Sequence, residues 1–361
     1  MHGQKPSILV SRFFHFNSRS KKMFSFIPNE YFLLAFGLIL LIKGGDWFVD
    51  AASGIAKRFH LPELLIGATV VSIGTTLPEV MTSALGAASG SGAIAYGNAI
   101  GSIICNTALI AAVTIAIKPG KVDKKTLIFP VSAFFVAAVF YVLIAYTTQN
   151  FARWTGIVLL VGFVAYMVIN VLNMKKNPES AELEEPEVHE TQTAEAEGGS
   201  MVKDIVMLIV GALVIAVGAY LLVENATAIA HQLGMPESVI ALTVVAIGTS
   251  LPELVTAITS LIKGHGALSL GNIIGANIFN LVLVSGTAIT ISPFTVPLTS
   301  VLFGQNASLI LDIPVMLGVM ALMTIPTIFA GKLKRWQGIA LLLIYVTFMV
   351  LQFTCVTTVG A

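Results

Sequence analysis

The sequence predicts an all-α integral membrane protein with ten transmembrane helices arranged as two inverted five-helix repeats. Three observations predict it. The chain of 361 residues is 56% hydrophobic and 11% charged, with a mean hydropathy of +0.89, too apolar to hide its surface in a water-soluble core. It holds ten apolar runs of about 20 residues, the length that crosses a bilayer as a helix. A hexapeptide, Gly74-Thr75-Thr76-Leu77-Pro78-Glu79, returns as Gly248-Thr249-Ser250-Leu251-Pro252-Glu253.

Taken in order, the runs are Glu30 to Val49, Glu63 to Ala88, Gly92 to Ile117, Thr126 to Tyr146, Trp154 to Met174, Val202 to Ile229, Glu237 to Ile262, Gly266 to Ile291, Ala307 to Ala330 and Trp336 to Cys355. Residues 1–28 precede them with Lys5, Arg12, Arg19, Lys21 and Lys22 and no acid. They lack the apolar centre of a secretory signal. A transit peptide has a similar composition, and Met23 offers an alternative start. Cys105 and Cys355 fall in apolar runs and are expected as small core residues, with neither a disulfide framework nor a thiol metal motif.

Lysine and arginine collect in cytoplasmic loops. Here they follow every odd-numbered span: Lys57 and Arg58, then Lys118, Lys121, Lys124 and Lys125, then Lys175 and Lys176, then Lys263, then Lys332, Lys334 and Arg335. Arg153 is the exception. Both termini are therefore expected outside the plasma (inner) membrane and the central loop in the cytoplasm, a topology that favours Met23 as the start. That loop, residues 175–201, turns to Pro, Glu, Ala, Thr and Gly and carries eight glutamates. Such a composition buries too little to fold. It reads as a solvated linker in preference to a calcium-sensing tail, since it has no EF-hand spacing. The domain organisation is thus an extension over 1–28, a first repeat over 29–174, an acidic linker over 175–201 and a second repeat over 202–361.

A single offset of 174 residues superposes the halves. Gly211 and Gly218 fall on Gly37 and Gly44, Glu224 on Asp50, Pro236-Glu237 on Pro62-Glu63, Thr243 on Thr69, Gly271-Asn272 on Gly97-Asn98, Gly275 on Gly101 and Asn280 on Asn106. A register held across three spans marks an internal repeat. Five spans per copy is an odd number, so the second copy enters the membrane upside down. Inverted repeats with interrupted helices build a binding site near the midplane.

The repeated motif carries chemistry. A glutamate inside an apolar span costs roughly 3 kcal/mol or more, which makes it functional by default. Pro78 lacks an N–H, so the Gly74 carbonyl is expected to be free and the turn opened; Pro252 should do the same to Gly248. Thr75 and Thr76 lie four and three residues before Glu79 and share its helical face. Thr249, Ser250 and Glu253 repeat that spacing. In the following span Asn98, Ser102 and Asn106 share a face, matched by Asn272, Ala276 and Asn280, while the glycine pairs Gly97/Gly101 and Gly271/Gly275 are expected to pack. The donors are all oxygen, which suits Ca2+, with Na+ as a weaker analogue, and not zinc or copper. Two facing carboxylates in a low dielectric would take up protons unless cations neutralise them. One Ca2+ or at least two Na+ does so.

Paired GT[TS]LPE motifs, each followed by GN-x-x-G ending in Asn, resemble the two alpha repeats of the cation/Ca2+ antiporter superfamily, specifically its prokaryotic Na+/Ca2+ exchanger branch. The resemblance covers about Gly37 to Ala116 and Gly211 to Ile291. It implies that Glu79 and Glu253 bind Ca2+ centrally, with Thr75 and Thr249 adding carbonyl and hydroxyl oxygens. It also implies flanking Na+ positions built by Thr76, Ser250, Ser102, Asn106 and Asn280, with backbone carbonyls near Ser72 and Ala246. Two departures stand out. Some relatives have serine where this chain has Ala276, and Asn280 replaces an aspartate of other members, which argues against K+ dependence. The function implied is secondary active exchange of Na+ for Ca2+, with no cofactor beyond the transported ions and no partner beyond the lipid bilayer. Nucleic acid is not implied by a formal charge of +1.

A Ca2+/H+ antiporter using the same glutamates is the main alternative, and a ten-helix drug or metabolite transporter a distant one. An enzyme is not expected, because neither a catalytic aspartate pair nor a His-Glu-x-x-His helix is present; a non-gated channel stays an open alternative, and dependence of counterflow on trans Na+ separates it from an exchanger. Other polar residues have plainer readings. Lys43 and Asp46, three apart, suggest a local ion pair. Asp50, Glu224, Glu63 and Glu237 suggest solvated or capping groups, and His231 and His265 surface positions.

Overall fold

Two long helices show the inversion directly. The computed structural model describes residues 29–176, 201–232, 246–297 and 300–358. Its helices are α1 (Asn29–Arg58), α2 (Glu63–Ala88), α3 (Gly92–Ile117), α4 (Lys124–Thr147), α5 (Arg153–Lys176), α6 (Met201–Gln232), α7 (Ala246–Thr249), α8 (Leu251–Ile262), α9 (Gly266–Ile291), α10 (Ser308–Ala330) and α11 (Arg335–Thr354). Among the described residues nine of these are long and apolar enough to cross a membrane, and α8 is a shorter apolar helix. The tenth expected span is described only from Ala246 onward, as α7, a turn at Ser250, and α8. The N-terminal extension, the acidic linker, Glu237 and Thr243 lie outside the described residues, as does the side chain of His231.

Small residues let α1 and α6 meet backbone to backbone. A Cβ placed on Gly37 would sit 2.9 Å from the Gly218 carbonyl oxygen, and one on Gly218 would sit 2.8 Å from the Gly37 oxygen. Gly44 faces the Ile215 amide at 2.9 Å, and Gly211 faces the Phe48 amide at 2.9 Å. Positions rise along α1 as they fall along α6, so the pair is antiparallel. The contacts are also self-complementary under the 174-residue offset: Gly218 meets Leu41, the counterpart of Ile215, and Gly37 meets Leu222, the counterpart of Phe48. A two-fold relation between the halves is therefore written into the packing of their first helices, where close approach replaces a hydrophobic driving force that lipid cannot supply.

Behind this pair, α9 is the most enclosed helix, buried without interruption from Leu268 to Val282. Gly271 and Gly275 lie against α2, where a Cβ would meet the Leu64 carbonyl oxygen at 2.1 Å and Ser72 Oγ at 2.2 Å. Gly97 and Gly101 show no such contact among the described residues; the positions the repeat sets against them, 238 and 242, lie outside that set. The outer helices repeat the same device. Gly156 of α5 rests on the Gly286 carbonyl of α9, and Gly338 of α11 rests on the Ala112 carbonyl of α3, the equivalent position.

The connections sort into two groups. Val122 donates to the Gly331 carbonyl, Leu333 to Gly120, and Lys124 Nζ to Phe329, joining the α3–α4 and α10–α11 connections. Arg58 at the end of α1 pairs with Asp204 of α6 at 3.0 Å. Short strands β1 (Asn150–Phe151) and β2 (Phe294–Thr295) join the α4–α5 and α9–α10 connections. There β3 (Ser300–Leu302) also pairs with β4 (Gln305–Asn306) and the C-terminal β5 (Thr357–Thr358). Odd-to-even connections thus contact one another, and so do even-to-odd ones.

Four expectations are corrected. Asp46 turns to Lys263 at 3.4 Å instead of Lys43, and Asp50 shares that lysine at 2.8 Å; one ammonium between two carboxylates outcompetes a pair three residues apart. His265 is not a free surface residue but meets Glu63 at 2.7 Å. Glu63, partly buried in the first turn of α2, gains in His265 a partner that its position at a span end did not announce. Cys355 is exposed, unlike the buried Cys105, because α11 presents its C-terminal end outward.

A bulky side chain in the α1–α6 contact must force the backbones apart. Gly218→Leu is expected to cost about 1–3 kcal/mol, lowering the unfolding midpoint of detergent-solubilised protein. Gly162→Leu, on the open side of α5 with no neighbour within 4 Å, should leave the midpoint unchanged.

A buried oxygen site shared by the two repeats

The site forms where α2 and α3 of the first repeat meet α8 and α9 of the second. Thr75, Thr76 and Glu79 lie on the inner face of α2, at 1%, 0% and 0% exposure. Glu253 of α8 is 0% exposed. Ser102, Asn106, Ser250 and Asn280 are also buried. The halves touch within the site. Thr76 Oγ1 donates to Glu253 Oε1 at 3.5 Å across the repeat boundary, and the two glutamates are close enough for their charges to interact.

Local backbone geometry aims these groups. Asn106 opens a π-helical turn over Asn106–Ala111, and Asn280 opens the equivalent turn over Asn280–Val284. Such a turn widens the helix by one residue and recurs at functional sites. A third, Gly67–Val71, lies just before the motif in α2, and the Ser72 hydroxyl caps its Gly67 carbonyl at 2.7 Å. Pro78 does not break the helix, lying inside the helical segment Ser72–Ala88, although its missing N–H still denies the Gly74 carbonyl its helical donor. The wide turn over Gly67–Val71 lies upstream of it. The second copy differs, because the helix breaks at Ser250 and restarts with Pro252 in the first turn of α8, where proline needs no donor.

Both carboxylate oxygens of Glu79, one of Glu253, and both amide atoms of Asn106 and Asn280 have no hydrogen-bond partner, seven buried atoms in all, and Ser250 Oγ adds another. Each orphaned buried polar group costs free energy, and native interiors hold few of them. Gathering so many here, in equivalent positions of both repeats, identifies a place built for a polar guest. The described ion pairs join Arg58, Lys263 and His265 to Asp204, Asp46, Asp50 and Glu63. None of them neutralises either central glutamate.

The remaining expected residues fall into three kinds. The Ser72 side chain is structural, its one hydroxyl proton going to the Gly67 carbonyl at 2.7 Å or the Asn272 carbonyl at 2.9 Å, while its own carbonyl accepts from Thr75 at 3.5 Å. Thr249 is half-buried and lines a cavity with Asn98 and Ser102. Ala246 is the first residue of α7. Asn98 and Asn272 sit on the predicted faces but are bonded elsewhere. Asn98 Nδ2 donates to Ser83 Oγ at 2.8 Å and the Glu79 carbonyl at 3.1 Å, and Asn272 Nδ2 donates to Thr256 Oγ1 at 2.8 Å. Sequence reasoning missed Ser83, Thr256 and a buried contact in which Asn277 donates to Thr107 at 2.7 Å. The repeat hides that last pair, since the counterparts are Ile103 and Leu281.

Two carboxylates and several neutral oxygens, with no cluster of three His, Cys, Asp or Glu side chains among the described residues, form a donor set for hard cations. Comparison with known proteins agrees. The chain is 33% identical over 355 residues to the sodium/calcium exchanger MaX1 of Methanosarcina acetivorans, covering 91% of this chain and 99% of that protein. It is 36% identical over 320 residues to an uncharacterised membrane protein of Methanocaldococcus jannaschii, covering 88% and 95% respectively. Its fold matches the sodium-calcium exchanger NCX_Mj soaked with Na+ and Ca2+ at a TM-score of 0.72 and 31% identity, over 91% of this chain and 99% of that one. A family model described as sodium/calcium exchanger protein matches residues 29–172 and 203–354, and the chain belongs to that family.

Proposed function

We propose that this protein exchanges Na+ for Ca2+ by alternating access, the two ions competing for one central site around Glu79 and Glu253. Family membership makes the chain a multi-pass membrane transporter and not an enzyme. The observation that carries the finer reading is the pair of fully buried carboxyl groups that have, among the described residues, orphaned oxygens and no ion pair to a cationic side chain. Two negative charges at membrane depth are tolerable only when matched. One Ca2+ matches them, and so do two or more Na+. Thr75 and Thr249 supply further oxygens around Ca2+, with the Ser72 and Ala246 carbonyls, Thr76, Ser250, Ser102, Asn106 and Asn280 forming the flanking Na+ positions. The neutral amide of Asn280 keeps the site at two charges.

Protons could match the same two carboxylates, so the Ca2+/H+ alternative turns on the driving ion. The neutral orphaned amides and hydroxyls favour Na+, because a proton needs no cage of oxygens whereas Na+ does. In proteoliposomes loaded with Na+, Ca2+ uptake should follow the Na+ gradient and be absent when only a pH gradient is imposed; uptake on a pH gradient alone would reverse the assignment.

Glu79→Gln and Glu253→Gln each remove one of the two charges that Ca2+ would neutralise. Both are expected to lose measurable Ca2+ binding by isothermal calorimetry on purified protein, and wild-type affinity in either would remove the central site.

The membrane orientation belongs to the same proposal: plasma membrane, both termini outside, acidic linker in the cytoplasm, with the repeats bounded at 29–174 and 202–361. The basic odd-to-even connections support it, as does their mutual contact described above. With Cys105 and Cys355 replaced, Gln149→Cys should react with an impermeant thiol reagent added to intact cells, and Gly120→Cys should not.

A further inference from the structure

The Thr75 hydroxyl has a partner that neither the repeat nor the cation-binding scheme calls for. Thr75 Oγ1 lies 3.2 Å from Asn272 Oδ1, a contact between α2 and α9 across the repeat boundary. Ser72 Oγ approaches the same amide oxygen at 3.3 Å. On its other side, Asn272 Nδ2 donates to Thr256 Oγ1 at 2.8 Å, and the Thr256 hydroxyl sends its own proton to the Pro252 carbonyl at 2.9 Å or the Glu253 carbonyl at 3.1 Å. Every member of this chain is buried, Asn272 at 1% and Thr256 at 0%.

The direction of these bonds has a chemical consequence. A hydroxyl binds a cation through a lone pair, so its single proton must point elsewhere, to an acceptor. Besides the nearby Glu253 carboxyl, Thr75 Oγ1 has two hydrogen-bond acceptors, Asn272 Oδ1 at 3.2 Å and, more weakly, the Ser72 carbonyl at 3.5 Å. Once a cation occupies the Glu253 carboxylate, a proton aimed there opposes the cation's charge, and Asn272 Oδ1, nearer than the Ser72 carbonyl, is the best-placed acceptor that remains. An amide can serve this way only if its oxygen, and not its NH2, faces Thr75. Thr256 enforces that choice by accepting from Nδ2 while its own proton is held by backbone carbonyls.

We infer that Asn272 is a positioning residue, held by Thr256, which takes the Thr75 hydroxyl proton and so turns the Thr75 oxygen toward the bound cation. In the first repeat Asn98, the counterpart of Asn272, gives its Nδ2 to Ser83 Oγ and the Glu79 carbonyl. Partners of ligating groups of this kind fix ligand orientation and carry about 10- to 100-fold in metal affinity. The inference rests on the cation-site reading above.

A double-mutant cycle tests it, with Ca2+ binding to purified protein as the readout and Ca2+ alone as the probe. Asn272→Ala should weaken binding about 10-fold or more. Asn272→Asp keeps an acceptor oxygen facing Thr75 and should recover most of that loss. Thr256→Val should weaken binding, whereas Thr256→Ser, which keeps the hydroxyl, should not. In a Thr75→Val background there is no proton to accept, so Asn272→Ala should weaken binding less than about 2-fold further, a non-additive result. Multiplying effects of Thr75→Val and Asn272→Ala would overturn the inference and leave Asn272 as a packing residue. So would an Asn272→Ala protein with wild-type affinity while Glu253→Gln has lost binding. Retained binding in Glu253→Gln would instead remove the cation site itself. Unfolding midpoints identify a variant that fails to fold, in which case the Asn272→Asp and Thr256→Ser/Val comparisons decide.

Discussion

The structure depends on one electrostatic constraint: Glu79 and Glu253 are wholly buried, near each other, with no cationic side chain among the described residues paired to balance them. In a low-dielectric interior, attraction or repulsion between charges is many times what it is in water. A site of two carboxylates therefore has a strong preference for being loaded. The neutral donors around it follow from the same constraint. A third carboxylate would deepen the imbalance, whereas Asn106, Asn280, Ser102 and Ser250 add oxygens without adding charge. The lack of partners at Asn106, Asn280 and Ser250 among the described residues is the local cost of keeping those oxygens available.

Duplication supplies both halves of that site, and small residues bring them together. The odd number of spans inverts the second copy, so α2 and α8 approach the centre from opposite sides of the membrane. Gly271 and Gly275 then let α9 lie directly on α2, which is what places Asn272 within reach of Thr75. Matching π-helical turns at Asn106 and Asn280 do for α3 and α9 what a proline kink would do elsewhere, shifting one side chain relative to the face that its spacing predicts.

How much of this was legible in the sequence depended on range. Span positions, the repeat, its inversion and the two glutamates follow from apolar run length, one constant offset and the rarity of acids in apolar helices. The glycine contacts of α1 and α6 were legible as positions but not as partners. What could not be read were choices made among several satisfying partners. Asp46 has Lys43 three residues away, yet pairs with Lys263, 217 residues distant in the chain. His265 looks like a loop residue until Glu63 is brought beside it. Pro78 signals a break by its missing N–H, but a helix can absorb proline where a widened turn precedes it, and nothing in Gly67–Val71 announces that turn. Asn277 was passed over because its repeat counterpart is apolar, a reminder that symmetry is a guide to shared function and a poor guide to one-sided contacts.

Those one-sided contacts separate the two ends of the molecule even though its centre is nearly symmetric. Around the site the repeat keeps its chemistry: Glu with Glu, Thr75 with Thr249, Thr76 with Ser250, Asn106 with Asn280. Near the ends of the helices it does not. Lys263 and His265 correspond to Ser89 and Ser91, and Asp46 corresponds to Tyr220. The ionic ties of Lys263 to Asp46 and Asp50, and of His265 to Glu63, therefore have no equivalent that the opposite end could form. These ties join α1 and α2 to the connection between α8 and α9. Exposed pairs of this kind contribute little singly, but a shared lysine must leave two carboxylates at once. An exchanger with a near-symmetric site and asymmetric ends has two access states of unequal energy. Under the proposed reading, ion selectivity would be set by the duplicated motif and resting conformation by the positions where duplication has been lost.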